Sequence, residues 1–177
     1  MPIKSTYDEL EKIKFESEQV AQKLRNAEFL FSQMFEQSTI SMCLYTPEGT
    51  IVRANHEFCK MFGVKENEIV NAGYNVFKDQ AAIDAGIIPL LKNIFKKKKT
   101  ENWEIEYNID SASESTETPT SRVGKIVLKA NGYPVLNYQG EIEYVVLEHY
   151  DITERKLTGG GASEERGKVS LGVPYES

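Results

Sequence analysis

The side chains that could perform nucleophilic, acid–base or metal chemistry are few and widely spaced. The chain of 177 residues contains two cysteines, Cys43 and Cys59, and two histidines, His56 and His149. Two cysteines exclude a disulfide scaffold and a four-cysteine zinc site, and such sparse usage suits a reducing compartment. Neither histidine stands at motif spacing from a nucleophile or carboxylate, and no glycine loop precedes a helix in phosphate-binding form. We therefore expect no metal site and no catalytic module in this chain.

Four consecutive lysines, Lys96–Lys99, could contact nucleic acid, but the rest of the chain argues against that role. The net charge is -6 and the isoelectric point is about 5.1. Cations at the C-terminal end of a helix are favoured by the helix dipole, and no aromatic platform surrounds them. We expect no nucleic-acid partner.

The composition is that of a folded, soluble chain. Hydrophobic residues make up 40% and charged residues 27% of the sequence. No segment approaches the roughly 20 apolar residues that span a bilayer. The N-terminus also lacks the apolar core of a signal peptide. These features predict a cytoplasmic chain without membrane contact of its own.

The first 35 residues are predicted to form a helix. Residues 7–34 contain neither proline nor glycine, and a narrow apolar stripe recurs in steps of three and four. Such a stripe favours a short coiled coil with a second copy over a helix packed on its own domain. The members of this seam are Leu10, Ile13, Ser17, Val20, Leu24, Ala27, Phe31 and Met34.

The segment after this helix alternates strand and helix patterns. Residues 40–46 and 50–54 predict a hairpin, Asn55 predicts the N-cap of a short helix that ends at Gly63, and residues 65–71 predict another helical turn. The apolar spacing of residues 87–95 predicts a longer helix.

The second half predicts three strands and a helix. The strands cover residues 103–109, 125–131 and 142–150, and Asn137 to Gly140 forms the hairpin between the last two. Residues 110–121 are rich in serine, threonine and glutamate and predict a mobile surface loop that leaves the core alone. Asp151 and Glu154 predict a capping box for the outgoing helix. The segment 157–177 is expected to be a flexible tail.

Three motifs in this order resemble those of a PAS domain. They are the hairpin and helix at 47–58 (PEGTIVRANHEF), the segment Gly63–Val70, and the closing segment from Gly140 that ends in Asp151-Ile152-Thr153-Glu154-Arg155-Lys156. The resemblance implies an α/β (α+β) fold over residues 36–156, with a five-stranded antiparallel sheet flanked by short helices and preceded by the amphipathic helix. It also implies a sensory and dimerisation role, with a pocket on the concave face of the sheet.

The resemblance to flavin-binding light-sensing members sets the phase of the pocket. Their flavin-contacting glutamine corresponds to His149, and alternation along the strands then selects the other inward positions. Cys43, Tyr45 and His149 would be polar groups in an otherwise apolar site, or satisfied groups of a filled core. The predicted lining is Cys43, Tyr45, Phe58, Val76, Ile87, Leu91, Leu128, Ala130, Val145, Leu147 and His149.

The same resemblance argues against a bound cofactor. Val76 stands where light-sensing members carry the reactive cysteine, and no histidine lies between Gln80 and Lys99 to ligate haem. Leu128 and Ala130 replace the usual hydrogen-bonding contacts to flavin, which disfavours non-covalent flavin without excluding it. We expect no cofactor and an unknown small-molecule ligand.

These expectations combine into a sensory module of a signalling protein such as a histidine kinase. The chain would form a homodimer through the N-terminal helix and the sheet. It would pass its signal through Asp151, Thr153 and Glu154 to an output domain or partner signalling protein. The alternatives are a ligand-free assembly module and, less favoured, a haem or flavin redox sensor or a small redox enzyme that uses His149 and Cys43.

Overall fold

A five-stranded antiparallel sheet forms the centre of the molecule. The computed structural model describes residues 3–158, with side chains from residue 9 onward. The spatial strand order is β2-β1-β5-β4-β3. The strands are β1 (Ser41–Tyr45), β2 (Ile51–Ala54), β3 (Glu101–Asn108), β4 (Lys125–Leu136) and β5 (Ile142–Asp151).

Seven helices accompany the sheet in the described part of the chain. They are α1 (Ile3–Glu36), α2 (His56–Phe62), α3 (Glu66–Asn71), α4 (Gln80–Asp84), α5 (Ile88–Lys97), α6 (Ile109–Thr116) and α7 (Thr153–Thr158). The predicted sheet and its flanking helices are thereby confirmed, whereas the short helix α4 was not foreseen.

The main core lies between one face of the sheet and the helices α2 to α6. Inward residues alternate along the long strands, as the burial of Ile126, Leu128 and Ala130 on β4 illustrates. On the polar face, Lys125 of β4 pairs with Glu106 of β3 at 2.6 Å, which is a cross-strand ion pair of the predicted kind. The other sheet face carries a small cluster made by Phe35, Leu44 and Val146.

Capping residues and a proline explain where α2 begins and ends and where α5 begins. Asn55 accepts a hydrogen bond from the Phe58 amide and caps α2, which ends at Gly63 in the left-handed conformation. Pro89 occupies the first turn of α5, where its missing N–H costs nothing. Both features agree with the sequence-based prediction.

The prediction of a mobile loop at 110–121 was wrong. Residues 109–116 form α6, because Asn108 accepts hydrogen bonds from the amides of Asp110 and Ser111 and so caps a helix. Ile109 therefore begins this helix and does not end strand β3. Ile109 and Ala112 are buried in the main core, so the segment contributes side chains to the core, contrary to the prediction.

Helix α1 projects away from the sheet. Between residues 9 and 31 every side chain except the half-buried Ala21 is exposed. Its contact with the domain is made at its C-terminal end, where Phe35 is buried. The predicted tail at 157–177 falls largely outside the described residues. Leu157 and Thr158 belong to the end of α7, and the remainder lies beyond residue 158.

Candidate functional site

A cavity of about 60 Å³ lies between the inner face of the sheet and the helices. Its walls come from α2, from the segment around α3 and α4, from α6 and the residues after it, and from β3, β4 and β5. The lining residues are Phe58, Phe62, Val64, Ile69, Tyr74, Val76, Asp79, Ala82, Ile87, Trp103, Ile105, Tyr107, Ile109, Ala112, Ser113, Thr116, Thr118, Thr120, Leu128, Leu147 and His149.

The predicted pocket residues divide into two groups. Six line the cavity: Phe58, Val76, Ile87, Leu128, Leu147 and His149. The other five, Cys43, Tyr45, Leu91, Ala130 and Val145, are buried on the same side of the sheet but do not line it. All eleven residues lie on the core side of the sheet, and the cavity extends further towards α6 and β3 than the predicted lining does. Their role in ligand binding stays a prediction.

Two of these non-lining residues make contacts inside the packed core. The Cys43 thiol lies 3.8 Å from the Leu147 carbonyl oxygen, to which it can donate. Burial raises the pKa of Cys43 to about 12, so this side chain is a neutral thiol at physiological pH. Tyr45 packs edge-on against Phe95.

His149 is the polar group that faces the cavity from β5. It is 9% exposed and packs edge-to-face on the rings of Phe58 and Phe62. Its Nδ1 atom has no hydrogen-bond partner among the described residues. Burial lowers the pKa of His149 to about 4, so the imidazole is neutral at physiological pH. A buried polar atom without a partner is costly, and a ligand could supply that partner.

Asp79 is a second polar group in the cavity wall, and the sequence analysis missed it. Its Oδ1 atom accepts hydrogen bonds from the amides of Ala81 and Ala82 and caps α4. Its Oδ2 atom accepts hydrogen bonds from the hydroxyls of Tyr74 and Tyr107, both at 2.5 Å. Four hydrogen bonds therefore converge on this side chain, which is 1% exposed.

The two tyrosines are held in their neutral form. Burial, assisted by the negative charge of Asp79, raises the pKa values of Tyr74 and Tyr107 well above their usual range. The sequence does carry a signal for this cluster, because an aspartate before Gln80-Ala81-Ala82 is a good N-cap. Tyr107 alternates with Trp103 and Ile105 along β3, which places it inward.

The segment from α6 to Thr120 forms one wall of the cavity and brings hydroxyl groups to it. Ser113, Thr116, Thr118 and Thr120 all line the cavity. Ser115 accepts a hydrogen bond from the Gln80 amide at 2.9 Å, which joins α6 to α4. These residues were missed because a serine- and threonine-rich segment predicts a solvated loop.

Asp151 connects the last strand with α7, although not as an N-cap. The helix begins at Thr153, and the Ile152 carbonyl accepts its first hydrogen bond, from Lys156, so Ile152 occupies the cap position. Asp151 Oδ1 accepts hydrogen bonds from the Thr153 amide and hydroxyl, at 3.0 and 2.5 Å. The Thr153 hydroxyl in turn accepts one from the Val127 amide of β4.

The expected return contact from Glu154 does not form. Glu154 is exposed, and among the described residues its carboxylate makes no hydrogen bond or ion pair, so the capping-box prediction was wrong. Asp151 is contacted by Arg122 as well, whose Nη2 donates to Asp151 Oδ2 at 3.0 Å while its Nη1 donates to the Met61 carbonyl at 2.6 Å. Arg122 follows the cavity wall formed by α6, so the chain after this wall contacts the last residue of β5, just before α7.

A second group of contacts ties the end of α1 to the domain. Asn55 is fully buried, and its Nδ2 donates to the carbonyls of Phe35 and Ile40 while its Oδ1 accepts from Met42 and Phe58 amides. Arg53 pairs with Glu36 of α1 and with Glu66 of α3, each at 2.9 Å. The base of α1 is therefore linked to β1, β2 and α3.

Two kinds of feature were not found within the described range. Residues 3–158 hold no group of three or more histidine, cysteine or acidic side chains placed to bind a metal ion. Within the same range no helix has both the length and the apolar character needed to cross a bilayer.

Comparison with known structures gives one consistent fold. The chain is 17% identical to the PAS domain of an HTR-like protein from Haloarcula marismortui, with a TM-score of 0.55, and the match covers 76% of this chain and 99% of that one. The PAS domain of a Colwellia psychrerythraea protein is 11% identical with a TM-score of 0.56, and the coverage is 73% and 99%. A domain of a sensory box sensor histidine kinase/response regulator from Geobacter sulfurreducens is 14% identical with a TM-score of 0.52, and the coverage is 72% and 96%.

Sequence comparison defines the family more directly. No curated protein matches the chain. Residues 39–154, which make up more than half of the sequence, match the family description "PAS domain". This span runs from just before β1 to the start of α7 and contains the complete sheet and cavity. The chain belongs to the PAS domain family.

Proposed function

We propose that this chain is a sensory module that binds a small molecule in its cavity and passes the signal to its flanking helices. The observation that supports this most is the unpartnered Nδ1 of His149 in the wall of a largely apolar cavity. Small-ligand sites combine apolar walls with a few convergent polar groups. The sensor histidine kinase among the similar structures is consistent with a signalling parent protein, although that likeness carries the fold alone.

The size of the cavity favours a small ligand over flavin or haem. Its volume of about 60 Å³ is well below the roughly 300–1,000 Å³ of pockets that hold drug-sized molecules. A redox role for Cys43 is disfavoured because its buried thiol is protonated and does not line the cavity. We propose that the chain itself is not an enzyme.

Transmission is proposed to run in two directions. Towards α7 it uses the contact of Arg122 with Asp151, because Arg122 lies two residues after Thr120, which lines the cavity. Towards α1 it uses Asn55, whose side chain contacts Phe35 and caps the cavity-lining helix α2. A shift of either wall on ligand binding would change the energy of these hydrogen bonds, and the ligand would select the state that it binds better.

The second candidate function is assembly without a ligand. It is favoured by the exposed seam of α1, where Leu10, Ile13 and Val20 are each more than 60% exposed. A homodimer formed by this seam, with the sheet as a further contact, is compatible with both candidates. The ligand measurement therefore separates them.

Native mass spectrometry of freshly purified protein tests the sensory proposal. We expect a retained mass that is lost on denaturation and is absent in an Ala112→Leu variant, because Ala112 is buried in the cavity wall. The matched control is Glu114→Leu, an exposed position on the same helix. An empty wild-type protein that also binds nothing from a cell extract would contradict the proposal and leave assembly as the function.

A further inference from the structure

We infer that the cavity selects a small organic cation, an alkylammonium ion of a few heavy atoms. This inference rests on the proposed ligand-binding function and adds to it the chemical class of the ligand. It is carried by the charge, the aromatic surface and the hydrogen-bonding groups of the cavity wall.

The charge of the cavity wall is negative and has no partner. Asp79 is buried as a carboxylate, and none of the described residues that line the cavity is a lysine or arginine. The one histidine in the wall, His149, is neutral because burial lowers its pKa to about 4. Burial of a charge is costly unless another charge compensates it. The hydrogen bonds to Asp79 offset part of that cost, and a bound cation would offset more, whereas an anion would be repelled.

The aromatic content of the wall suits a cation as well. Five aromatic side chains line the cavity: Phe58, Phe62, Tyr74, Trp103 and Tyr107. Rings that surround a desolvated cation attract it through their negative faces, and such cages are a recurrent way to bind ammonium groups. The same rings accommodate the alkyl part of the ligand.

Several hydrogen-bonding positions of the wall are acceptors. The hydroxyls of Tyr74 and Tyr107 both donate to Asp79, so their oxygens are left to accept from a ligand. The neutral His149 ring carries one acceptor and one N–H donor, and its buried Nδ1 has no partner among the described residues. Acceptors in the cavity wall complement the N–H groups of an ammonium ion and disfavour a carboxylate or phosphate.

The volume restricts the ligand to a small member of this class. A buried water needs about 10–15 Å³ of such space, so a cavity of about 60 Å³ holds a few heavy atoms. Ethylammonium has a suitable size and carries both an apolar part and an ammonium group.

The test is a titration followed by tryptophan fluorescence. Trp103 is the single tryptophan of the chain and lines the cavity, so its emission reports on this site. The probes are ethylammonium chloride, ethanol and sodium propionate at constant ionic strength, and thermal unfolding is followed in parallel. We expect ethylammonium to bind about tenfold or more tightly than ethanol, and propionate not to bind.

Two variants locate the effect at the carboxylate. Asp79→Asn removes the charge while its side-chain oxygen can still cap α4, and should abolish the preference for ethylammonium over ethanol. Asp84→Asn removes a charge from an exposed position of the same helix and should bind as wild type does. If Asp79→Asn does not fold, Tyr107→Phe keeps the carboxylate and the ring but removes one acceptor, and should weaken ethylammonium binding several-fold.

The outcomes separate this inference from the proposed function. Equal binding of ethylammonium and ethanol, or preferred binding of propionate, would overturn the cation inference while a small-molecule sensor remained. Binding of none of the probes to the folded wild-type protein would also overturn it, and the mass measured for the retained ligand would then decide the sensory function independently. If a folded Asp79→Asn protein still preferred ethylammonium over ethanol, the charge of Asp79 would not be the cause of that preference.

Discussion

The His149 side chain should make stability depend on pH. Its pKa is lowered from 6.5 to about 4 by burial, so as pH falls the unfolded chain takes up this proton first. The contribution of His149 to stability is therefore full above pH 6.5 and is lost progressively between pH 6.5 and 4. From pH 7 to pH 5 this single group should lower the free energy of unfolding by about 2 kcal/mol.

Urea denaturation at the two pH values checks this expectation. His149→Gln should reduce the pH dependence by that amount, and His56→Gln, at the exposed start of α2, is the matched control. An identical pH dependence in wild type and His149→Gln would show that His149 is not held neutral by the fold.

Asp151 should stabilise the start of α7. Burial raises its pKa, but hydrogen bonds from Thr153 and Arg122 outweigh burial and lower the pKa below its usual value. Its contribution is thus present above the unfolded pKa and is lost as pH falls through the lower folded pKa. By analogy with caps, Asp151→Ala should cost about 0.5–2 kcal/mol, measured by thermal or urea unfolding at neutral pH.

The neighbouring carboxylate provides the matched control for this prediction. Glu154→Ala should change stability little, because its carboxylate is exposed and makes no contact within the described residues. In the parent signalling protein, Asp151→Ala should also uncouple input from output while the cavity stays formed. Equal stability of the two variants, with output intact in both, would show that Asp151 merely ends a strand.

At the scale of elements, the α6 segment should depend on Gly63. Gly63 and Gly73 share a left-handed backbone, with φ of 67° and 66°. A Cβ atom at Gly63 would lie 2.6 Å from the Arg122 nitrogen, whereas at Gly73 it would meet nothing within 4 Å. Both alanine variants carry backbone strain of about 1–2 kcal/mol, and Gly63→Ala should lose roughly a further 1–3 kcal/mol by overpacking.

Urea unfolding compares the two variants, and amide exchange locates the damage. Exchange should accelerate in residues 118–124 and in α7 for Gly63→Ala, but not for Gly73→Ala, because Arg122 would be displaced from Asp151. Equal losses of stability in the two variants would mean that the segment after α6 can move away from an added Cβ atom at residue 63 without loss of free energy of unfolding.

The elements show which parts of the fold can be predicted from sequence and why others cannot. Alternation on β4 and the Asn55 cap are local patterns, and they were predicted correctly. Helix α6 was not predicted because only Ile109 and Ala112 of its eight residues are buried, which is too few to produce a recognisable helical period. The cluster of Asp79, Tyr74 and Tyr107 was not predicted because its tyrosines come from different parts of the chain, and only folding brings them together.

For the whole molecule, α1 is the feature that the folded domain does not explain. Leu24, Phe31 and Met34 of the seam are each more than 50% exposed, and Phe15, Phe29 and Leu30 outside it are exposed as well. A contiguous apolar stripe on a monomer usually marks an interaction surface. A second copy offers an identical stripe, and the 34-residue length of α1 is enough for several turns of contact.

Sedimentation at tens of micromolar should therefore show a dimer that depends on the seam. Val20→Glu with Leu24→Glu places two charges in the predicted interface and should shift the protein to monomer, because each charge would lose water without a partner. Gln19→Glu with Gln22→Glu adds the same charge at exposed positions outside the seam and should leave the dimer intact. A wild-type monomer would end the coiled-coil prediction, and a dimer unaffected by the seam variant would move the interface to the outer face of the sheet, around Leu44, Val146 and Tyr133.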